Sequence, residues 1–218
     1  MRRTIYRQPL KAGIIIMSNK EKFQSIVNAY IKRDGIIPLM NWLESTDFYT
    51  APASTRFHLS CEEGLLCHSL NVYYRLLQQY QALYGTITAE AHETLAIIGL
   101  YHDLCKADTY RKEWKNVKVY CDHGSRTDAG GKYEWEVKQG YAFNEKLAFG
   151  YHGPKSAYLI GKFLKLTDEE HISIANHMGF SDRFPTDYAL GKVYEQCNLA
   201  YLLHVADCLA TFIDERGL

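Results

Sequence analysis

The sequence lacks three features that would each assign it to a particular class of protein. It has no excess charge, because Lys plus Arg and Asp plus Glu number 25 each, so no overall positive field attracts nucleic acid or an anionic membrane. The apolar run near the N-terminus, Gly13 to Met17, is too short for a signal peptide or a membrane span. The six cysteines show no CxxC spacing, which is typical of reduced thiols in a cytoplasmic protein. We therefore expect a cytoplasmic protein that binds any phosphate through local contacts.

Repeats and low-complexity segments are also missing, and the composition is that of an ordinary folded protein. With 218 residues, of which 47% are hydrophobic, the chain is long enough to bury one substantial core. Ser18 and Glu21 have the spacing of a capping box, which marks the beginning of a helix. We expect residues 1–17 to form a disordered lead and residues 18–218 to form a single domain.

Most of the chain has the periodicity of amphipathic helices. Gly35 and Gly85 are placed to end two helices, and Thr88 and Thr167 are placed to cap the N-termini of two others. We predict helices over residues 19–34, 38–44, 63–84, 89–101, 154–164, 168–177 and 192–214.

The middle of the chain has a different pattern. Residues 117–120 and 133–137 alternate apolar with polar side chains, and the residues between them are rich in Gly, Ser, Asp and Thr. This pattern predicts a β-hairpin with a long loop, within an insert that spans residues 112–143. The predicted fold class is therefore an all-α helical bundle with a small inserted β-hairpin. The insert is a lid over a site, a dimerisation arm or a simple extension, and the sequence does not rank these.

Three polar side chains fall on the buried stripes of three different predicted helices. His68, His102 and Asp207 each lie at helical spacing from apolar residues of their own helix. Burying a carboxylate as an ion is costly unless a positive charge compensates it. Taken singly, each residue is better explained as a satisfied polar group of the core. Taken together, they favour a divalent cation, which can bind imidazole and carboxylate ligands at once.

The local sequences around these residues match a known pattern. Gly64-Leu-Leu-Cys-His68-Ser-Leu, then Tyr101-His-Asp-Leu-Cys-Lys106 and then Asp207 follow one another along the chain. This order resembles the H…HD…D signature of the HD-domain superfamily of helical metal-dependent phosphohydrolases. The resemblance extends over residues 46–214 and is strongest to stand-alone relatives of the HD domain of bacterial 3′→5′ exoribonucleases. The oligonucleotide-binding domain of those exonucleases has no counterpart here, so a nucleic-acid substrate is not expected.

The resemblance implies a divalent transition metal as cofactor, with two ions per chain. Mn, Fe, Co, Ni and Zn are the expected metals, and Mg is also compatible. Asp103 would bridge the two ions, with His152 and His177 on the second ion. Water activated by the ions would attack the phosphorus atom, so Asp103 is expected to be the residue whose loss costs most activity. The implied ligands are His68, His102, Asp103, His152, His177 and Asp207.

Other polar residues of the predicted site are assigned to the substrate. Lys106 lies one helical turn after Asp103, where its ammonium group could reach a nonbridging phosphate oxygen and take part in catalysis. Lys155 and Ser156 lie at a helix N-terminus, which is a favourable place for a second phosphate. Further contacts are expected just before the first ligand helix, from Thr50, Ser54, Thr55, Arg56 and His58. The histidines expected at the surface or in the core are His92, His123, His171 and His204.

The sequence thus predicts an enzyme that hydrolyses a phosphomonoester or phosphodiester of a small nucleotide. Two alternatives within the HD type remain open, a non-catalytic module that senses a nucleotide and a nuclease that acts on short oligonucleotides. A third alternative is a helical structural protein whose polar residues form networks in the core. The expected partner is a small phosphorylated substrate, a homodimer stays open, and no membrane is expected.

Overall fold

The computed structural model describes residues 17–144, 150–182 and 188–216. Residues 1–16 of the predicted disordered lead lie outside the described residues. Short turns of other helix types follow α4, α6 and α8, at Leu104–Lys106, Gly179–Asp182 and Ala210–Asp214. The helices are α1 (Asn19–Tyr30), α2 (Ile36–Glu44), α3 (Gly64–Tyr84), α4 (Ala89–Tyr101), α5 (His152–Gly161), α6 (Asp168–Asn176), α7 (Ala189–Gln196) and α8 (Asn198–Leu209).

Helix α3 lies at the centre of the helical bundle, where it packs against α4, α8 and α1. Its apolar stripe is completely buried, because Leu65, Val72 and Leu76 have no exposed surface. Helices α3 and α4 are in tight contact at Gly99, where an added Cβ would lie 2.9 Å from the Cα of Tyr73. The missing side chain at residue 99 therefore lets the C-terminal end of α4 lie directly against α3.

A buried ion pair fastens α6 to the rest of the bundle. Glu170 has no exposed surface, and its Oε1 accepts hydrogen bonds from Arg33 Nη2 and from Thr94 Oγ1, both at 3.0 Å. Arg33 follows α1 in the chain, and Thr94 lies on α4. Because a buried carboxylate needs such partners, Glu170 links three segments that are distant in sequence.

The predicted N-terminal helix caps are confirmed, whereas Gly35 does not end α1 as predicted but is the N-cap of α2. Ser18 and Glu21 form a capping box, with Ser18 N donating to Glu21 Oε2 at 2.6 Å and Glu21 N donating to Ser18 Oγ at 3.2 Å. Thr88 and Thr167 cap α4 and α6 through their hydroxyl groups. The helix predicted over residues 89–101 has those bounds, whereas the one predicted over 19–34 ends at residue 30.

A three-stranded antiparallel sheet makes the all-α fold class wrong. Its strands are β1 (Tyr110–Tyr120), β2 (Arg126–Asp128) and β3 (Gly131–Phe143), in the spatial order β1-β3-β2. The structure is a mixed one, in which a helical bundle carries a long β-ribbon rather than a small hairpin. Sequence periodicity underestimated both long strands because most of their residues are exposed, so no buried apolar face marks their full length.

The ribbon returns to the bundle at the point where it leaves. Tyr110 pairs with Phe143 at its base, with ring centroids 5.5 Å apart, and Asn144 N donates to Thr109 O at 2.8 Å. Residues that face each other across β1 and β3 point to the same side of the sheet. One side is rich in aromatic residues, including the exposed Trp114 and Trp135.

The single helix predicted over residues 192–214 is also wrong. The chain breaks between α7 and α8 at Cys197, whose φ of −130° and ψ of 91° are those of an extended residue. Helix α8 then ends at residue 209 and continues as a π-helical turn over residues 210–214. In the described part of the chain, no helix combines the length and the apolar character needed to span a membrane.

Candidate metal centre

Five of the predicted ligands converge at the centre of the bundle. His68 lies on α3 and Asp207 on α8, while His102 and His177 are the C-terminal caps of α4 and α6. Asp103 follows His102 directly, with φ −104° and ψ 22° as the chain leaves α4. His68, His102 and His177 have no exposed surface, and Asp103 is 2% exposed.

The tips of these side chains lie close enough to share one ion. His68 Nε2 is 3.3 Å from His102 Nε2, 3.2 Å from Asp207 Oδ1 and 3.5 Å from Asp103 Oδ2. His177 Nε2 is 3.5 Å from the other oxygen of Asp103, Oδ1. Ligand atoms bound to one cation at about 2.1 Å are separated by roughly 3.0–3.4 Å in octahedral or tetrahedral geometry. The observed separations are close to that range.

The three histidines all present the same nitrogen to the centre. His102 Nδ1 lies 2.9 Å from Gly99 O, and His177 Nδ1 lies 2.7 Å from Ile174 O. His68 Nδ1 lies 3.0 Å from a carboxylate oxygen of Glu215. Carbonyl and carboxylate oxygens only accept, so each Nδ1 donates a hydrogen. In a neutral ring the lone pair is then on Nε2, which is the arrangement that metal-binding histidines need.

Asp103 and Lys106 form a buried ion pair beside the histidines. Lys106 Nζ lies 2.6 Å from Asp103 Oδ2. Burial alone would raise the pKa of Asp103, but the charges of Lys106 and His102 hold it well below its ordinary value. Burial opposes the charged form of Lys106 as well, yet Asp103 raises its pKa. Both groups therefore stay ionised at neutral pH.

The three histidines differ in their electrostatic surroundings. Burial alone would lower the pKa of His68, but its hydrogen bonds to Asp103, Asp207 and Glu215 raise it well above the ordinary value. Burial alone would lower the pKa of His177, but the nearby Asp103 and Asp207 together outweigh it, so its pKa is raised. Burial dominates at His102 and lowers its pKa. The negative charge of the carboxylates thus favours any cation at this point, whether a proton or a metal ion.

Two buried atoms of the cluster support binding of a metal ion. Among the described residues, Asp103 Oδ1 and His177 Nε2 have no hydrogen-bond partner, although both are buried. Such orphaned groups are rare in native proteins, and a bound ion is one way in which they are satisfied. His68, His102 and Asp207 form one group that can hold a metal ion, and His102, Asp103 and His177 form another. The predicted cluster of His and Asp ligands is therefore present, and it fits a divalent cation.

His152 lies near Asp103, one of its two expected partners, and lines the same cleft, but it is not grouped with His177. It was predicted to share a second ion with His177 and Asp103, but the group that includes His152 consists of Asp103, Cys105 and His152. His177 instead groups with His102 and Asp103. The difference arises because α5, which begins at His152, packs against the turn over residues 104–106 that contains Cys105.

A cleft of about 530 Å³ opens onto the centre. Its polar lining includes Asp103, Lys106 and Asp207, together with the predicted contacts Ser54, Thr55 and His58. The lining also includes three exposed aromatic side chains, Phe57, Phe143 and Phe212. The volume is within the usual range for small-molecule sites.

Other residues assigned to the substrate lie elsewhere. Arg56 is exposed and stacks over the Phe57 ring, 5.3 Å from its centroid, and it does not line the cleft. Lys155 lines a smaller neighbouring cavity of about 200 Å³, together with Lys106. Ser156 is buried and accepts a hydrogen bond from Cys105 N at 3.1 Å, so it fixes the turn after Asp103. Thr50 donates to Asp47 O at 3.2 Å.

Sequence patterns missed two residues of the site. Glu215 contacts His68, but it follows the last predicted helix. No helical periodicity there indicates that an acidic side chain is buried. His204 lines the cleft, and its Nδ1 lies 2.7 Å from His177 O. His204 precedes Asp207 by three residues and so lies on the same side of α8. This spacing could have indicated that His204 belongs to the site.

The chain was also compared with known proteins. Searches against profiles of protein families, against curated proteins and against solved structures found no match.

Proposed function

We propose that the protein is a metal-dependent phosphohydrolase of the HD type that acts on a small nucleotide. One observation carries this proposal: His68, His102 and His177 turn Nε2 towards two carboxylates at one buried point, each with Nδ1 held by an acceptor. Preorganised imidazole and carboxylate ligands of this kind suit Mn, Fe, Co, Ni or Zn.

The proposed ligands have distinct tasks. His68, His102, Asp103 and Asp207 would hold a first ion, and His177 Nε2 lies 3.5 Å from the second oxygen of Asp103. A second ion would take Asp103 and His177, with His152 as the less direct ligand because it groups with Cys105. When bound, such ions lower the pKa of coordinated water and offset the charge of phosphoryl oxygens.

Lys106 would meet the substrate's phosphoryl group. Its ammonium group is held beside Asp103 and also lines the cleft, so it can donate to a nonbridging phosphoryl oxygen without leaving the site. Being almost completely buried, the ammonium group interacts with such an anion more strongly than an exposed lysine would.

The cleft supports a substrate with one anionic and one flat apolar part. Its lining combines the buried cation Lys106 with the aromatic side chains of Phe57, Phe143 and Phe212. Aromatic side chains of this kind can stack on a nucleobase while the phosphate contacts Lys106. The equal numbers of acidic and basic residues favour a small nucleotide over a polymer.

The first test is metal content. Protein purified without added metal, and protein reconstituted with Mn²⁺ or Zn²⁺, should contain one or two ions per chain by mass spectrometry. The Asp103→Asn variant should lose them, whereas His171→Ala, a change at an exposed histidine of α6, should not. Absence of bound metal after reconstitution would refute the proposal.

The second test is hydrolysis. Activity on 4-nitrophenyl phosphate identifies a monoesterase, and activity on bis(4-nitrophenyl) phosphate identifies a diesterase. We expect Asp103→Asn to lower kcat by about a hundredfold or more, as the loss of one preorganised catalytic group does elsewhere. A thermal-shift screen of nucleotides with Mn²⁺ would then narrow the substrate, since a ligand well above its Kd stabilises the fold. Metal binding with no turnover of either ester or any stabilising nucleotide would favour the sensing module.

A further inference from the structure

Glu215 is a buried carboxylate outside the predicted ligand set. It is 1% exposed, and its two oxygens lie 3.0 and 3.2 Å from His68 Nδ1. Asn71, one turn after His68 on α3, donates its Nδ2 hydrogen to Glu215 Oε1 at 2.9 Å. His58 Nε2 lies 4.0 Å from Oε2. Side chains from α3 and from the segment before it thus surround this carboxylate.

The end of α8 has an unusual geometry that brings Glu215 to His68. The chain continues as a π-helical turn over residues 210–214, and Glu215 N donates to Ala210 O at 3.0 Å. The neighbouring Asp214 is paired with Arg75 of α3, whose Nε donates to Asp214 Oδ2 at 2.7 Å. Two successive acidic residues therefore dock on α3, and π-turns of this kind are frequent at functional sites.

His68 differs from the other two histidines in what holds its ring. The Nδ1 atoms of His102 and His177 face neutral backbone carbonyls, whereas that of His68 faces an anion. A carboxylate that accepts this hydrogen fixes the ring more tightly than a carbonyl does and increases the electron density on Nε2. The Nε2 of His68 also lies within 3.5 Å of both Asp103 and Asp207.

We propose that Glu215 is a positioning residue that orients His68 and strengthens its bond to a divalent cation. The proposal rests on the proposed function only in requiring that the centre bind a metal ion. It explains why a carboxylate is buried here, since the hydrogen bonds of His68 and Asn71 compensate the cost of removing it from water. It also gives the C-terminal turn a role in the metal centre.

The test measures the affinity for Zn²⁺ alone, by competition with a chromophoric chelator. Glu215→Ala should weaken binding by about 10- to 100-fold, the typical effect of losing such a partner. Glu215→Gln should weaken it less, because the amide oxygen still accepts the Nδ1 hydrogen. Asp214→Asn is the matched control, since it breaks the neighbouring pair with Arg75 and leaves His68 untouched; its affinity should stay within about twofold of the wild type.

A spectroscopic measurement separates positioning from a general loss of structure. In Zn²⁺-loaded protein labelled with ¹⁵N-histidine, the Nδ1–H signal of His68 should be protected from exchange, lost in Glu215→Ala and kept in Glu215→Gln. If Glu215→Ala does not fold, Glu215→Gln with weaker Zn²⁺ binding and a shifted His68 signal supports the proposal. A folded Glu215→Ala variant with wild-type affinity for Zn²⁺ would overturn the proposal. So would a Glu215→Gln variant with both wild-type affinity for Zn²⁺ and an unchanged His68 signal. A wild-type protein that binds neither Zn²⁺ nor Mn²⁺ would overturn the proposed function as well.

Discussion

Lys106 Nζ lies 2.6 Å from Asp103 Oδ2, and the two side chains are 8% and 2% exposed. The ammonium group therefore compensates the carboxylate that is proposed to bind the metal ions. The same ammonium group lines the cleft, so its contact with Asp103 affects how it can interact with a ligand in the cleft. Any cation that binds Asp103 takes over part of the compensation, which leaves the ammonium group more available to an anion in the cleft.

Replacing Lys106 should destabilise the metal-free protein more than the metal-bound protein. In Lys106→Met the Asp103 carboxylate loses its buried partner, and the free energy of unfolding in EDTA should fall by about 3–5 kcal/mol. With saturating Mn²⁺ the loss should be smaller, because the cation compensates the charge. Urea unfolding in both conditions measures the difference. Lys112→Met, at an exposed lysine near Glu62, is the control; equal losses for Lys106→Met with and without Mn²⁺ would contradict the role of the pair.

A methyl group at residue 99 should disturb the contact between α3 and α4. The Cβ of Gly99→Ala would lie 2.9 Å from Tyr73 Cα, so one helix has to move. We expect the variant to lose about 1–3 kcal/mol of stability. Its affinity for Zn²⁺ should also fall, because His68 and His102 lie on these two helices. Gly161→Ala is the matched control, since an added Cβ there meets nothing within 4 Å; wild-type Zn²⁺ affinity in Gly99→Ala would show that the helix spacing does not matter to the centre.

Removing the cation of the buried pair between Arg33 and Glu170 should be one of the most destabilising single changes outside the metal centre. Arg33→Ala leaves a fully buried carboxylate without its cation, and we expect a loss of about 3–5 kcal/mol in the free energy of unfolding. Lys20→Ala breaks an exposed pair with Glu44 and should cost at most about 1 kcal/mol. Chemical denaturation of both variants tests the ranking, and similar losses would contradict it.

His92 should make the protein less stable in mild acid. Its ring stacks on Tyr30, and burial lowers its pKa in the folded protein. The unfolded chain, with a histidine pKa of about 6.5, then takes up the proton first, so this stabilising contribution is full above about pH 6.5 and is lost as the pH falls. His92→Phe keeps the stack but cannot be protonated. Between about pH 7 and pH 5 its unfolding free energy should fall less than that of the wild type; parallel curves would refute this.

Local patterns were sufficient to predict the helices that carry the His and Asp cluster and five of the residues that converge there. His68, His102 and Asp207 lie on or at the end of helices that pack together, and helical periodicity marks which side of a helix is buried. Ser18, Thr88 and Thr167 cap helices because capping depends on residues only three positions away. These features are local, so one sequence is enough to predict them.

What depends on distant contacts could not be predicted. Glu215 meets a residue 147 positions earlier in the chain, and no local pattern indicates that pairing. The place of His152 is fixed by the packing of α5 against the turn that contains Cys105, not by its spacing from His177. The long strands β1 and β3 escaped prediction because a ribbon exposed on both sides needs no apolar periodicity to pair.

The hydrogen bond between Asn144 N and Thr109 O closes the ribbon at its base. The ribbon leaves the helical bundle and re-enters it at one place, so its length does not affect the spacing of the helices on either side, as if they were joined by a tight turn. Such an insertion can lengthen, shorten or change its sequence while the helices that carry His68, His102 and Asp207 keep their places. Since Tyr110 and Phe143 stand at its base and line the cleft, changes in this element would alter what the cleft accepts before they altered the metal centre. Under the proposed function, substrate choice and metal binding can therefore vary separately in this architecture.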